Sequence, residues 1–375
     1  PAGMWCMQTG YGRREIADAV SQQIMTLSYA TSFTVINNRE VELAERIAAK
    51  TPGDLNRIYF TTGGSTAVDS ALRLCQLASN IKGQPHRKHI LTREKAYHGS
   101  TYLSASITGK ERDKTAMDIM RNGIHFLSAP CHFYHPEFAT EAEFCDFLVD
   151  ELEQKILELG PENIMCFIAE PILASGGVIV PPTDYNYRCW QMVKKHEITY
   201  IADEVVTAFG RLGHWFSSEK VFGIVPDIII FAKGVTSGYI PMGGYAVSES
   251  FLASFSGENA EDCLYSNGYT WGGSPVACAA ALASWDIIEK EKLLDRVLEI
   301  GPYFQEQLRS LLDIPLVGNV RGEGLMAAVE MTIEGRNEED LLEKDYAIGE
   351  MVDQHCQTLG LLVRPFINIC IISPP

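Results

Sequence analysis

The chain has 375 residues, enough for two or three domains around a large core, and its 46% hydrophobic and 21% charged residues are ordinary for a soluble globular protein. Its 48 acidic against 31 basic residues give a formal net charge of -17, which argues against nonspecific nucleic-acid binding and against anionic membrane surfaces while leaving room for a local basic pocket. No apolar run approaches the roughly 18 residues of a membrane helix, no signal peptide opens the chain, and ten scattered cysteines without a Cys-x-x-Cys pair fit reduced thiols in a cytoplasmic protein.

In chain order, Glu15 to Leu27 and Val41 to Lys50 carry helical spacing of apolar residues, and Arg57 to Thr61 reads as a strand. Thr66 to Ala78 is amphipathic, with Val68, Leu72, Cys75 and Leu77 on one side. Further strands are expected at His89 to Thr92, Ile164 to Ala169, Ile198 to Ala202 and Ile228 to Ala232, and a long helix from Glu143 to Leu159 stops at Gly160-Pro161. Helices alternating with short apolar runs predict an α/β fold with a mostly parallel sheet. After Pro275 come an alanine-rich helix, Val276 to Glu289, another from Leu293 to Leu312, and short alternating segments around Leu325 to Met331. This predicts an N-terminal segment over residues 1–30, a large domain over 31–280 and a smaller α+β C-terminal domain over 281–375, with the boundary inside the helical stretch. The start at Pro1 without an initiator methionine and the stop at Pro374-Pro375 lead us to expect that both ends are truncated.

Three motifs are set aside. Cys131-His132-Phe133-Tyr134-His135 gathers metal-ligand residue types without a second pair, so no metal is expected there. Gly322-Glu323-Gly324 matches a permissive dinucleotide pattern but runs into strand-like Ala328-Val329-Glu330-Met331 and reads as a turn. Gly109-Lys110 lacks the hydroxyl residue and spacing of a phosphate loop.

The chemistry gathers at strand ends. Lys233 closes the apolar run Ile228-Ile229-Ile230-Phe231-Ala232, and 30 residues earlier Asp203 closes Ile198-Thr199-Tyr200-Ile201-Ala202. Singly, each reads as a solvated lysine and a turn-forming aspartate. Ligands of parallel sheets lie beyond the carboxyl ends of strands, and there the two would meet. An amine and a carboxylate so placed suit a cofactor with an aldehyde and a ring nitrogen, of which pyridoxal phosphate is the standard example. Gly63-Gly64-Ser65-Thr66 stands between a strand and a helix, where backbone N–H groups can bind a phosphate or serve an ordinary capped turn. Tyr97-His98-Gly99 follows another strand, where an aromatic can lie on a planar ring or simply fill the core.

Together with Glu170-Pro171, Asp203-Glu204-Val205, Gly210-Arg211, Ala232-Lys233-Gly234 and Gly268-Tyr269-Thr270, these motifs resemble, in order and spacing from Trp5 to Pro375, the class III aminotransferases. Trp5-Cys6, Tyr11-Gly12-Arg13, Tyr97-His98-Gly99-Ser100-Thr101 and Leu362-Val363-Arg364 resemble the branch acting on omega-amino acids and amines with pyruvate. The resemblance implies fold type I of the pyridoxal-phosphate-dependent transferases. It implies that Lys233 bonds to the cofactor aldehyde and moves the proton, that Asp203 holds the ring nitrogen protonated, and that Tyr97 and Val205 cover the ring faces. It places the phosphate on Gly64 and Ser65, completed by Thr270 of a second subunit, so a homodimer is implied.

The resemblance further implies that Trp5 and Tyr97, with Phe33 in a lesser part, wall the pocket for the amine, and that Arg364 receives the keto acid's carboxylate. Thr66 and Trp271-Gly272-Gly273-Ser274-Pro275 depart from the family's usual residues. The expected activity is amino transfer from an omega-amino acid or primary amine to a keto acid such as pyruvate. A decarboxylase or aminomutase of the same fold and a non-catalytic cofactor-binding regulator stand as the alternatives.

Overall fold

The computed structural model describes residues 2–255, 264–332 and 341–375. Seven strands form the main sheet: β1 (Arg57–Thr61), β2 (His89–Arg93), β3 (Ile124–Leu127), β4 (Ile164–Ala169), β5 (Thr199–Asp203), β6 (Ile228–Phe231) and β7 (Gly243–Val247), in the order β1-β7-β6-β5-β4-β2-β3. From β3 through β6 all neighbours are parallel, and β7 alone runs antiparallel, pairing with both β6 and β1.

Both faces of this sheet are covered, which is why β4 and β6 are buried at every position and read as unbroken apolar runs. Strand alternation divides their side chains between two cores. Ile229 and Phe231 point to one side, with Phe144, Leu148, Val193 and Trp285 from the helices Glu141–Leu159, Tyr185–Lys195 and Pro275–Lys290. Ile228 and Ile230 point to the other, against Val68, Ala71, Leu72 and Cys75 of the helix Gly64–Ile81.

The helix from Glu141 begins two residues before the expected start because Thr140 and Glu143 form a capping box. Strand β7 escapes the period-2 reading. It opens on two glycines because an added Cβ at Gly243 would lie 2.6 Å from the carbonyl of Gly63, and one at Gly244 would lie 2.5 Å from the Tyr59 oxygen. The strand's start is pressed against the turn that begins the helix Gly64–Ile81.

The smaller sheet is antiparallel: β8 (Val317–Glu323), β9 (Met326–Met331), β10 (Arg364–Phe366) and β11 (Ile369–Ile372), in the order β10-β11-β9-β8. Gly324, at φ 55°, and Leu325 turn β8 into β9, so the Gly322-Glu323-Gly324 stretch is the end of a strand running into a hairpin turn. Residue 280 lies inside the helix Pro275–Lys290, which packs on the helices Arg14–Thr26 and Asn38–Ala48, while the next helix, Leu293–Arg309, contacts β8. Buried Arg211 joins the two sheets, donating to the Leu325 carbonyl at the hairpin turn (3.0 Å), to the Pro374 carbonyl and to the Gln8 side chain.

Candidate active site

The carboxyl ends of the parallel strands and the opening turn of the helix Gly64–Ile81 enclose a cavity of about 350 Å³. Lys233, Asp203, Gly64, Ser65, Tyr97 and Val205 all line it. They come from four separate segments after strands, as expected of a site at the strand ends of such a sheet.

Lys233 follows β6 in a tight turn at φ 41°, a left-handed conformation that costs a residue with a side chain on the order of 1 kcal/mol or more. Packing enforces it: Trp285 Nε1 donates to the Val235 carbonyl at 3.2 Å, and Thr236 Oγ1 donates to the Ile240 carbonyl at 2.6 Å. Burial lowers the pKa of the Lys233 amine, with Asp203 and Glu170 acting the other way. A less basic amine is more often the free nucleophile.

Asp203 ends β5, buried. His98 Nδ1 lies 2.7 Å from its Oδ2, and the Val205 N–H donates to its Oδ1 at 3.2 Å. His98 Nε2 in turn meets the Thr92 hydroxyl at 3.2 Å. Glu170, at the end of β4, accepts from the Tyr97 N–H at 2.8 Å and from the Ala174 N–H at 3.2 Å. Its burial raises its pKa to about 7; His98 opposes the shift and Asp203 adds to it. Glu204 has a structural task, its carboxyl accepting from the Ser217 and Ser218 N–H groups (2.7 and 2.9 Å) at the start of the helix Ser217–Phe222.

The anion cradle is local. Ala67 is the first residue of the helix to bond back, to the Gly63 carbonyl at 3.0 Å, which leaves the N–H groups of Gly64, Ser65 and Thr66 without a helical acceptor. A Cβ at Gly64 would press on Val205 at 3.3 Å, and one at Gly99 (φ 140°) would come within 2.5 Å of Ser65 Oγ, so both glycines keep the cradle open. The Ser100 N–H donates to Ser65 Oγ at 3.0 Å and ties the Tyr97 loop to this turn.

Other sequence-predicted residues stand apart from the cavity wall. Trp5 is buried in a core with Ile172, Met326 and Ile369, and Arg364 on β10 lies over its ring, Cζ 5.0 Å from the centroid. Met4 and Cys6, its neighbours on either side, line the cavity instead. The Arg364 Nη1 atom is buried with no hydrogen-bond partner. Thr270 and Phe33 are exposed. His132 binds the Phe138 carbonyl and His135 binds Glu137, and among the described residues no group of three or more His, Cys, Asp or Glu side chains is placed to hold a metal.

The sequence profile of the Aminotransferase class-III family matches residues 1–375. The chain is 39% identical to putrescine–pyruvate aminotransferase of Pseudomonas aeruginosa, over all of this chain and 81% of that one. It is 36% identical to the mitochondrial gamma aminobutyrate transaminase 1 of Solanum lycopersicum, over all of this chain and 73% of that one. Its structure is similar to that of an (S)-enantioselective omega-transaminase from Thermomicrobium roseum, with a TM-score of 0.93 at 36% identity, covering all of this chain and 82% of the other. The chain belongs to the class III aminotransferases and has the type I fold of the pyridoxal-phosphate-dependent transferases. The cofactor of this family is pyridoxal phosphate, and the residues fit it: an amine and a carboxyl share one cavity, and a glycine-lined helix start can take a phosphate.

Proposed function

We propose that the enzyme transfers an amino group from an omega-amino acid or primary amine to a keto acid such as pyruvate. The carrying observation is that Lys233, Asp203 and the N–H groups at the start of the helix Gly64–Ile81 converge on one cavity. When bound, pyridoxal phosphate supplies the electron sink that lets an amino-bearing carbon give up its proton. Lys233 is the residue that would hold the cofactor's aldehyde, and its amine would take and return that proton. Asp203, oriented by His98, holds a proton on the ring nitrogen. Gly64 and Ser65 would anchor the phosphate, and Tyr97 and Val205, which line the same cavity, would cover the ring. Arg364, with an uncommitted guanidinium nitrogen, receives the carboxylate of the keto acid.

The homodimer belongs to the same reading. Thr270 is exposed rather than directed into its own cavity, and Phe33 (66% exposed), Trp271 (61%) and Met25 (84%) present apolar surface of the kind an interface covers. A cytoplasmic location is supported by buried free thiols such as Cys75, Cys166 and Cys189.

The test is borohydride reduction of the holoenzyme with peptide mapping, joined to a donor panel with pyruvate as acceptor. Cofactor fixed on Lys233, and alanine formed without carbon dioxide or an isomerised donor, supports the reading. Label on another lysine overturns the assignment of Lys233, and carbon dioxide or an isomer favours the decarboxylase or aminomutase.

A further inference from the structure

Tyr97 has a cation beside its ring from an element that plays no part in the cofactor site. Lys110 lies beyond the short helix Tyr102–Ser106, and its Nζ stands 5.7 Å from the Tyr97 ring centroid and 4.4 Å from that of Phe366. Arg112 approaches the same Phe366 ring, Cζ at 5.4 Å. Phe366 is two residues beyond Arg364 on β10, so the two side chains leave the strand on one face. Lys110, Arg112 and Arg364 therefore gather around the rings of Tyr97 and Phe366.

Their charge is poorly compensated. Among the described residues Asp113 is the one carboxyl paired with either Lys110 (3.2 Å) or Arg112 (3.0 Å), and it serves both; Arg112 also donates to the Tyr346 hydroxyl. Arg364 has no carboxyl partner among the described residues, and its Nη1 is buried unpaired. Among the described residues these three cations, gathered beside the cavity-lining Tyr97, share one acid, Asp113, in a protein whose formal net charge is -17. The Lys110 side chain is only 13% exposed. Burial is the main cause of its lowered pKa; Asp113 acts the other way, and Arg112 and Arg364 add to the lowering.

We propose that Lys110 acts with Arg364 as a specificity-determining pair that selects amino donors carrying a distal acid group over diamines and uncharged amines. The inference rests on the amino-transfer reading and narrows its donor class. At about 8 Å and a near-surface dielectric, one unit charge changes the binding of another roughly thirtyfold. The second ammonium of a diamine is repelled by that factor where a carboxylate is attracted.

The test has two arms on the holoenzyme. In the first, calorimetric titration with butanoate, which has neither an amine nor a keto group, reads the anion site without turnover. Lys110→Met weakens butanoate binding roughly thirtyfold, and Lys110→Arg restores it; equal affinity in wild type and Lys110→Met overturns the proposal. In the second, kcat/KM is compared for 4-aminobutanoate and 1,4-diaminobutane with pyruvate. The wild type favours the acid at least tenfold, and Lys110→Met removes that preference through KM; a preference for the diamine overturns the proposal. If Lys110→Met does not fold, Lys110→Gln takes its place in both arms. Silence with both donors counts against amino transfer, while the butanoate arm still decides on Lys110.

Discussion

His98 Nδ1 lies 2.7 Å from Asp203 Oδ2, with both side chains shut off from solvent. The ring fixes one carboxyl oxygen and the Val205 N–H touches the other, so Asp203 keeps a single orientation at the floor of the cavity. Asp203→Asn keeps the shape and loses the charge. We expect it to retain bound cofactor by absorption while kcat falls on the order of a hundredfold or more, the usual cost of removing such an electrostatic contact. Near-normal turnover would place the ring nitrogen elsewhere.

Arg364 over Trp5 has a guanidinium nitrogen free for a carboxylate. Losing one charge-assisted hydrogen bond costs about 1.5 to 3 kcal/mol, so Arg364→Ala should raise the KM for pyruvate about ten- to a hundredfold. Single-turnover rates with an uncharged amine should fall far less. If both half-reactions decline together, Arg364 supports the small sheet and the carboxylate binds at another place.

Glu170 has a folded-state pKa raised by burial from 4.5 to about 7. Between those values the folded protein holds a proton that the unfolded chain releases, so stability falls as pH rises through that window and levels off above it. Glu170→Gln should remove this part of the pH dependence while that of Glu40, also raised by burial, remains. Melting temperatures of both proteins at about pH 5 and pH 8 check it. An unchanged difference between the two pH values would show that Glu170 does not titrate there.

Trp285 is fully buried against Trp215 and Phe209, and its Nε1 holds the Val235 carbonyl within the Lys233 turn. Trp285→Ala should destabilise the protein by about 3 to 5 kcal/mol in denaturant titration, the range for deleting a large buried aromatic. Because the turn it braces is strained, cofactor retention should weaken as well. A loss below 1 kcal/mol would mean that the core closes over the gap.

The strands ending at Lys233 and Asp203, the turn at Gly63-Gly64 and the helix after it were legible in the chain alone, because each is a local pattern: a short apolar run, a glycine pair, a helical period. Strand β7 was not, since its two glycines answer to the Gly63 turn and to β1, which are distant in sequence. The motifs named Tyr97 and Glu170 without joining them, and nothing near His98 announces that its ring reaches Asp203, 105 residues away. Trp5 was expected in the pocket wall; the tertiary structure sets it beneath Arg364 and gives the wall to Met4 and Cys6. In the sequence Lys110 stands only in a Gly109-Lys110 pair that lacks a phosphate loop's spacing, and only the approach of β10 puts Phe366 and Arg364 beside it. Backbone periodicity is written in neighbouring residues. Side-chain partners across the sheet depend instead on how crossovers and the second sheet pack, and no run of adjacent residues encodes that.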